Sequence, residues 1–153
     1  MDHFDRKILK LLQVDARLSV ADIGESIGLS PSATHRRIKA LEQQGIITSY
    51  RAMLDASALG IGLDVFVEIT LVSQSQQALD AFEAAVLASE EILECELMSG
   101  QSDYLLRIAA KDVADYDRIH RTYLARLPGV SAMHSRFTIR TIKKWSGYPL
   151  SSR

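Results

Sequence analysis

One cysteine in 153 residues, Cys95, rules out an internal disulfide. The fold must therefore be held by burial, and a reducing cytoplasm is the expected setting. The four histidines, His3, His35, His120 and His134, lie far apart. Neither they nor Cys95 form a cluster at metal-ligand spacing, so no metal is expected. No apolar run approaches the roughly 20 residues needed to cross a bilayer, so no membrane partner is expected. The opening residues include Asp2 and Asp5 and lack the pattern of a secretory signal. No Ser or Cys sits in a nucleophile elbow, and no acid/base pair has a distinctive spacing. An enzyme is therefore not expected, and no cofactor is implied. Charge is also nearly absent in sum, at −1.

What is present is ordinary globular composition, 47% apolar and 24% charged. The length suits one large domain or two small ones. Charge is split along the chain. Residues 1–51 carry 8 Lys/Arg against 6 Asp/Glu, and residues 52–153 carry 10 against 13. A mildly basic head on an acidic body has the sign expected of a nucleic-acid binder.

The stretch SPSATHRRIKALEQQG, residues 30–45, reads as a helix with both ends marked. Ser30 can cap the first turn, Pro31 suits the first helical position, and Gly45 supplies a left-handed stop. Helical spacing puts Thr34, Ile38 and Leu41 on a packing face. Ser32, His35, Arg36, Lys39 and Gln43 fall opposite, a face with hydrogen-bonding and cationic groups and no carboxylate. Such a face suits the DNA major groove. Ser32, Thr34 and His35 lie at the start of the helix, where base edges are nearest. Arg36 and Lys39 can reach base edges or phosphates, and Arg37, on the flank, a phosphate or an acid within the head.

Two helices should precede it. Residues 4–14 carry the apolar stripe Phe4, Ile8, Leu11 and Leu12. Residues 20–27, capped by Ser19 with Asp22 three positions on, turn Ile23 and Ile27 inward. Gly28-Leu29 makes the tight turn of a helix-turn-helix. The β-rich IITSYRAML after Gly45 reads as a short strand or hinge, giving a winged-type unit. Gly60 and Gly62 mark a linker.

Downstream, Leu63, Val65, Val67, Ile69 and Leu71 alternate with Asp64, Phe66, Glu68, Thr70 and Val72. A helix over 76–88 follows, with Leu79, Phe82 and Val86 inward. Strands over 92–98 and 104–110 flank a turn at 99–102. A helix over 113–127, with Tyr116, Ile119, Tyr123 and Leu127 inward, leads to a last strand over 130–144. The order β-α-β-β-α-β predicts an α+β, ferredoxin-like antiparallel sheet with both helices on one face. Its half-apolar open face is expected to pack against a second copy. The division predicted is a helix-turn-helix domain at 1–50, a linker at 51–62, a ferredoxin-like domain at 63–145 and a tail at 146–153.

Taken together, DRKILKLLQVDARLS, IGLSPSATHRRIKALEQQGII, MSGQSDYLLRI, RLPGV and the terminal IKK…YPL resemble the Lrp/AsnC (feast/famine) family of transcription regulators, in order and across essentially the whole chain. The resemblance implies a sequence-specific regulator of double-stranded DNA. It also implies a small amino-acid-like effector held between subunits of a dimer or octamer. By the same resemblance the effector positions are Met98, Gly100, Gln101, Asp103, Tyr104 and Ser135. Gly100 would let backbone N–H groups approach a carboxylate, and Asp103 would receive an ammonium group. On residues alone, Gly100 can equally serve the hairpin, Asp103 cap the turn and Tyr104 join the core. Sirohaem decarboxylases resemble the same family in both halves and remain an alternative, as does an architectural DNA-wrapping protein.

Overall fold

The computed structural model describes residues 1–150. They gather into two units, residues 1–53 with 142–150, and residues 54–141. No helix among the described residues is long and apolar enough to cross a membrane.

The first unit holds α1 (His3–Val14), α2 (Val20–Ile27) and α3 (Pro31–Gln43). Each begins on a side chain that accepts a bond from an otherwise free N–H. Asp2 and Asp5 bond reciprocally at α1, Ser19 and Asp22 at α2, and Ser30 caps α3. Gly28, at φ +75°, closes α2 in the left-handed region that disfavours a side chain. Ile8, Leu9, Ile23, Ile27, Ile38 and Leu41 form the core. Leu9 was not expected there, while Phe4, Leu11 and Leu12 of the predicted stripe lie half-buried at its margin. Gly24 lets α2 and α3 approach. A Cβ there would lie 2.7 Å from the Leu29 carbonyl oxygen and 3.0 Å from Thr34 Oγ1.

Two expectations about this unit and the segment that follows it change. Residues 46–62 contain no strand, so no wing is present there. Instead Asp55 caps a turn, accepting from the Ser57 and Ala58 N–H groups. The tail is not a free appendage. The Gln13 amide donates to the Tyr148 carbonyl at 3.2 Å and accepts from its N–H at 2.6 Å, and Leu150 packs on the helical core.

The second unit is one four-stranded antiparallel sheet in the order β2-β3-β1-β4. Its strands are β1 (Leu63–Leu71), β2 (Ile92–Leu97), β3 (Tyr104–Ala110) and β4 (Val130–Phe137). Two helices, α4 (Gln76–Leu87) and α5 (Val113–Thr122), complete the β-α-β-β-α-β order. Val65, Val67, Ile69 and Leu71 of β1 are buried with Leu106 and Ile108 of β3 and Phe82, Val86, Tyr116 and Ile119 of the helices. Their alternate neighbours Asp64, Phe66, Glu68 and Thr70 occupy the other face, opposite Arg107 and Leu105 on β3 and His134 and Arg136 on β4.

Here too two details differ from expectation. β4 ends at Phe137, opposite Val65 of β1, rather than near 144. The last tie is the Thr138 N–H to the Asp64 carbonyl. Helix α5 stops at Thr122, and Tyr123 starts a 3-10 turn over Leu124–Arg126. That change of rise swings Tyr123 outward and puts Leu124, fully buried, in the position predicted for it.

Candidate DNA-binding helix and effector site

Helix α3 is anchored by its inner face. Thr34, Ile38 and Leu41 are buried, and the Thr34 hydroxyl donates back to the Ser30 carbonyl at 3.1 Å. Thr34 is therefore removed from the DNA-contacting set: it is 0% exposed and bonded within its own helix. Arg37 also has an internal partner. It bonds Asp2 and Asp5, each at 2.8 Å, and its guanidinium lies 5.4 Å from the Phe4 ring centre. The bond from the Asp5 N–H and the neighbouring Arg37 hold the Asp2 carboxyl below its ordinary range, and both acids push the Arg37 guanidinium up. Of the two roles predicted for Arg37, the structure shows the tie to head-internal acids.

Ser32, His35, Arg36, Lys39 and Gln43 are all exposed. His35 and Arg36 make no hydrogen bond or ion pair among the described residues. Lys39 pairs with Glu42 at 2.8 Å, and Glu42 also accepts from Tyr50. Those two bonds, Lys39 first, hold the Glu42 carboxyl low. An exposed pair of this kind is weak, so a phosphate can compete for Lys39 at little cost. The helix thus presents a strip of donors on a rigid, well-capped support.

The turn between β2 and β3 is the other site. Gly100, at φ +136°, adopts a conformation that L side chains rarely take, and a Cβ there would meet open space. Glycine is required by the backbone and not by crowding. Asp103 is buried and fully engaged. Its carboxylate accepts from the Leu71 N–H and the Gln74 amide, both at 2.7 Å, and its own N–H donates to the Ile69 carbonyl. Asp103 fastens the turn to the end of β1. Tyr104 is core. It is 1% exposed, it packs on Phe82, and its hydroxyl donates to Glu83 at 2.7 Å. Burial first, then Glu83, raises its phenol. The Ser135 hydroxyl turns to the helical face, where it is bonded with the Tyr116 hydroxyl. Asp103, Tyr104 and Ser135 of the expected effector set each have a partner within the chain, and Ser135 stays exposed beside the turn. Met98, Gly100 and Gln101 remain exposed at the turn.

Gln101 and Ser102 border a surface depression of about 540 Å³, completed by Glu68, Thr70, His134, Ser135 and Arg136. Arg136 meets Glu68 as a fork, at 2.9 and 3.1 Å, and holds its carboxyl below the ordinary range. His134 stands directly opposite Glu68 across the strand pair. The resemblance pointed to the turn and did not include Glu68, Thr70, His134 and Arg136, which line the depression beside it. Strand alternation puts the four on one face, but it does not say that they flank the turn.

Comparison with known proteins agrees with both domains. The profile of the AsnC-type helix-turn-helix domain matches residues 1–42, and that of the Lrp/AsnC ligand binding domain matches residues 64–147. The leucine-responsive regulatory protein of Haemophilus influenzae is 42% identical over 94% of this chain and 87% of its own length. Its Escherichia coli counterpart is 37% identical over all of this chain and 93% of its own. A transcriptional regulator of Neisseria meningitidis, solved as an L-Met complex, superposes with a TM-score of 0.92 at 33% identity, covering 98% of this chain and 97% of that one. With the helix-turn-helix, the ferredoxin-like sheet and these relatives in agreement over the length of the chain, it belongs to the Lrp/AsnC family of DNA-binding transcription regulators.

Proposed function

We propose that the chain regulates transcription sequence-specifically and that an amino acid, bound at the Gly100 turn between two copies, tunes its DNA binding. The observation that carries the DNA half is the α3 strip. Ser32, His35, Arg36 and Lys39 are exposed over a buried Thr34-Ile38-Leu41 face. The L-Met bound to the Neisseria relative supports an amino acid as effector. The relatives are named as regulators, which favours a sensing role for the sheet unit over a catalytic one.

A head with a small basic excess binds weakly alone, so affinity requires several heads on one DNA. The open sheet face, with Phe66 and Leu105 half-buried on it, suits closure by a second copy. Two α3 helices in such a dimer read successive major grooves roughly 34 Å apart. An effector between copies shifts which assembly, and so which pair of sites, is favoured.

Arg36→Ala together with Lys39→Ala tests the DNA half. In a mobility-shift assay on a selected genomic fragment, specific affinity should fall by about 1–3 kcal/mol per base-contacting side chain. Unchanged specific binding sinks the assignment of α3.

A further inference from the structure

We infer that the effector is an amino acid with an uncharged hydrogen-bonding side chain, an amide or a hydroxyl, whose zwitterionic backbone is set between Arg136 and Glu68. This rests on the reading of the sheet unit as an amino-acid sensor and adds the chemistry of what it senses.

The charges fit a zwitterion. The depression holds one guanidinium and one carboxylate, already facing each other as a fork. A planar guanidinium matches a carboxylate in the same two-bond geometry. The Arg136–Glu68 pair is exposed enough to be worth little by itself, with Arg136 69% accessible. Opening it costs little and gives the ligand's carboxylate to Arg136 and its ammonium to Glu68. Asp103 is buried and already bonded by the Leu71 N–H and the Gln74 amide, whereas Glu68 faces the depression.

The rest of the lining selects the side chain. Thr70, Gln101, Ser102 and His134 supply hydroxyl, amide and imidazole groups, and none of the seven lining residues is apolar. Space does not discriminate here, because the volume lies within the usual 300–1,000 Å³ of ligand sites. Chemistry does. A leucine or methionine side chain would cover these groups without bonding them, and they would lose the water that bonds them now. An amide or hydroxyl replaces the water it displaces.

Calorimetric titration of the full chain with L-Asn, L-Gln, L-Ser and L-Thr, against L-Leu and L-Met, decides it. At least one of the first four should bind about tenfold more tightly than either apolar amino acid. Glu68→Gln and Arg136→Gln should each weaken the preferred ligand about tenfold or more. Arg136→Lys, which keeps the charge and loses the fork, should fall between. Thr70→Val should narrow the gap between polar and apolar ligands. Circular dichroism melting checks that each variant is folded, and the wild-type ranking stands even where a variant is not. Tighter binding of Leu or Met overturns the side-chain class and leaves the effector reading intact. Binding unaffected by Glu68→Gln and Arg136→Gln in folded protein overturns the placement. No binding of any amino acid overturns the effector reading and this inference with it.

Discussion

The head and the sheet unit hold themselves together by different means. Six buried apolar side chains anchor the head, against fourteen buried side chains in the sheet unit. Three helices of 8 to 13 residues are too short to persist alone. The head makes up the difference at its edges: capped helix starts, the Thr34 hook, the Arg37 tie to Asp2 and Asp5, and the Gln13 clasp on the tail. Inner and flanking side chains carry that work, and the outer strip of α3 is left free for a partner. In the sheet unit the polar side chains of the open face are tied to one another instead. Arg107 lies between Asp64 and Glu94, and Arg136 is on Glu68.

The sharpest test of this contrast is Phe82→Ala. Phe82 is fully buried between α4 and the sheet, with its ring centre 4.6 Å from that of Tyr104. Truncation should cost about 3–5 kcal/mol in denaturant unfolding followed by circular dichroism. A loss below about 1 kcal/mol would mean that burial is not what holds the sheet unit.

Next in size is Gly24→Ala in the head. The added methyl meets the Leu29 carbonyl, which is backbone and cannot swing away. Separating α2 from α3 should cost about 1–3 kcal/mol. Trp145 is the single tryptophan and lies in the head unit, so its fluorescence reports this transition. DNA affinity should fall with it, because α3 loses its seat.

These two residues also show what was legible beforehand. Phe82 was readable as core from helical period, as were Ile23, Ile38 and the alternating face of β1. Caps at Ser19 and Ser30 were readable because capping chemistry acts across three residues. Gly24 was not, since its constraint comes from a carbonyl five positions on in a turn. The candidate effector site was legible only at its turn. Glu68, His134 and Arg136 meet through the register of β1 with β4, which local pattern does not specify. The fastening role of Asp103 was not legible, because the Leu71 N–H that it satisfies belongs to a distant strand.

A smaller effect separates the head's surface ties from its core. Asp2 has a lowered carboxyl, so its contribution to stability is present above the ordinary carboxylate value near pH 4 and is lost as pH falls through its folded value. Trp145-detected melting temperature should therefore drop on acidification below about pH 4, and Arg37→Gln should flatten that drop. An unchanged acid profile in Arg37→Gln would show that the ion pairs are ornamental.

The smallest change expected in stability is also the most local. Gln13→Ala removes both bonds to Tyr148, each exposed and worth at most about 0.5–1.5 kcal/mol net. Gly147→Ala reaches the same clasp from the other side. Its Cβ would fall 2.3 Å from Gln13 Oε1, at φ +99°. Either variant should loosen the Trp145–Tyr148 pair, whose rings now stand edge to face at 4.9 Å. Steady-state anisotropy of Trp145 should fall in both while global unfolding hardly moves. If anisotropy stays high in both, the tail is held by Leu150 on the helical core, and apolar burial outweighs edge chemistry even in the head.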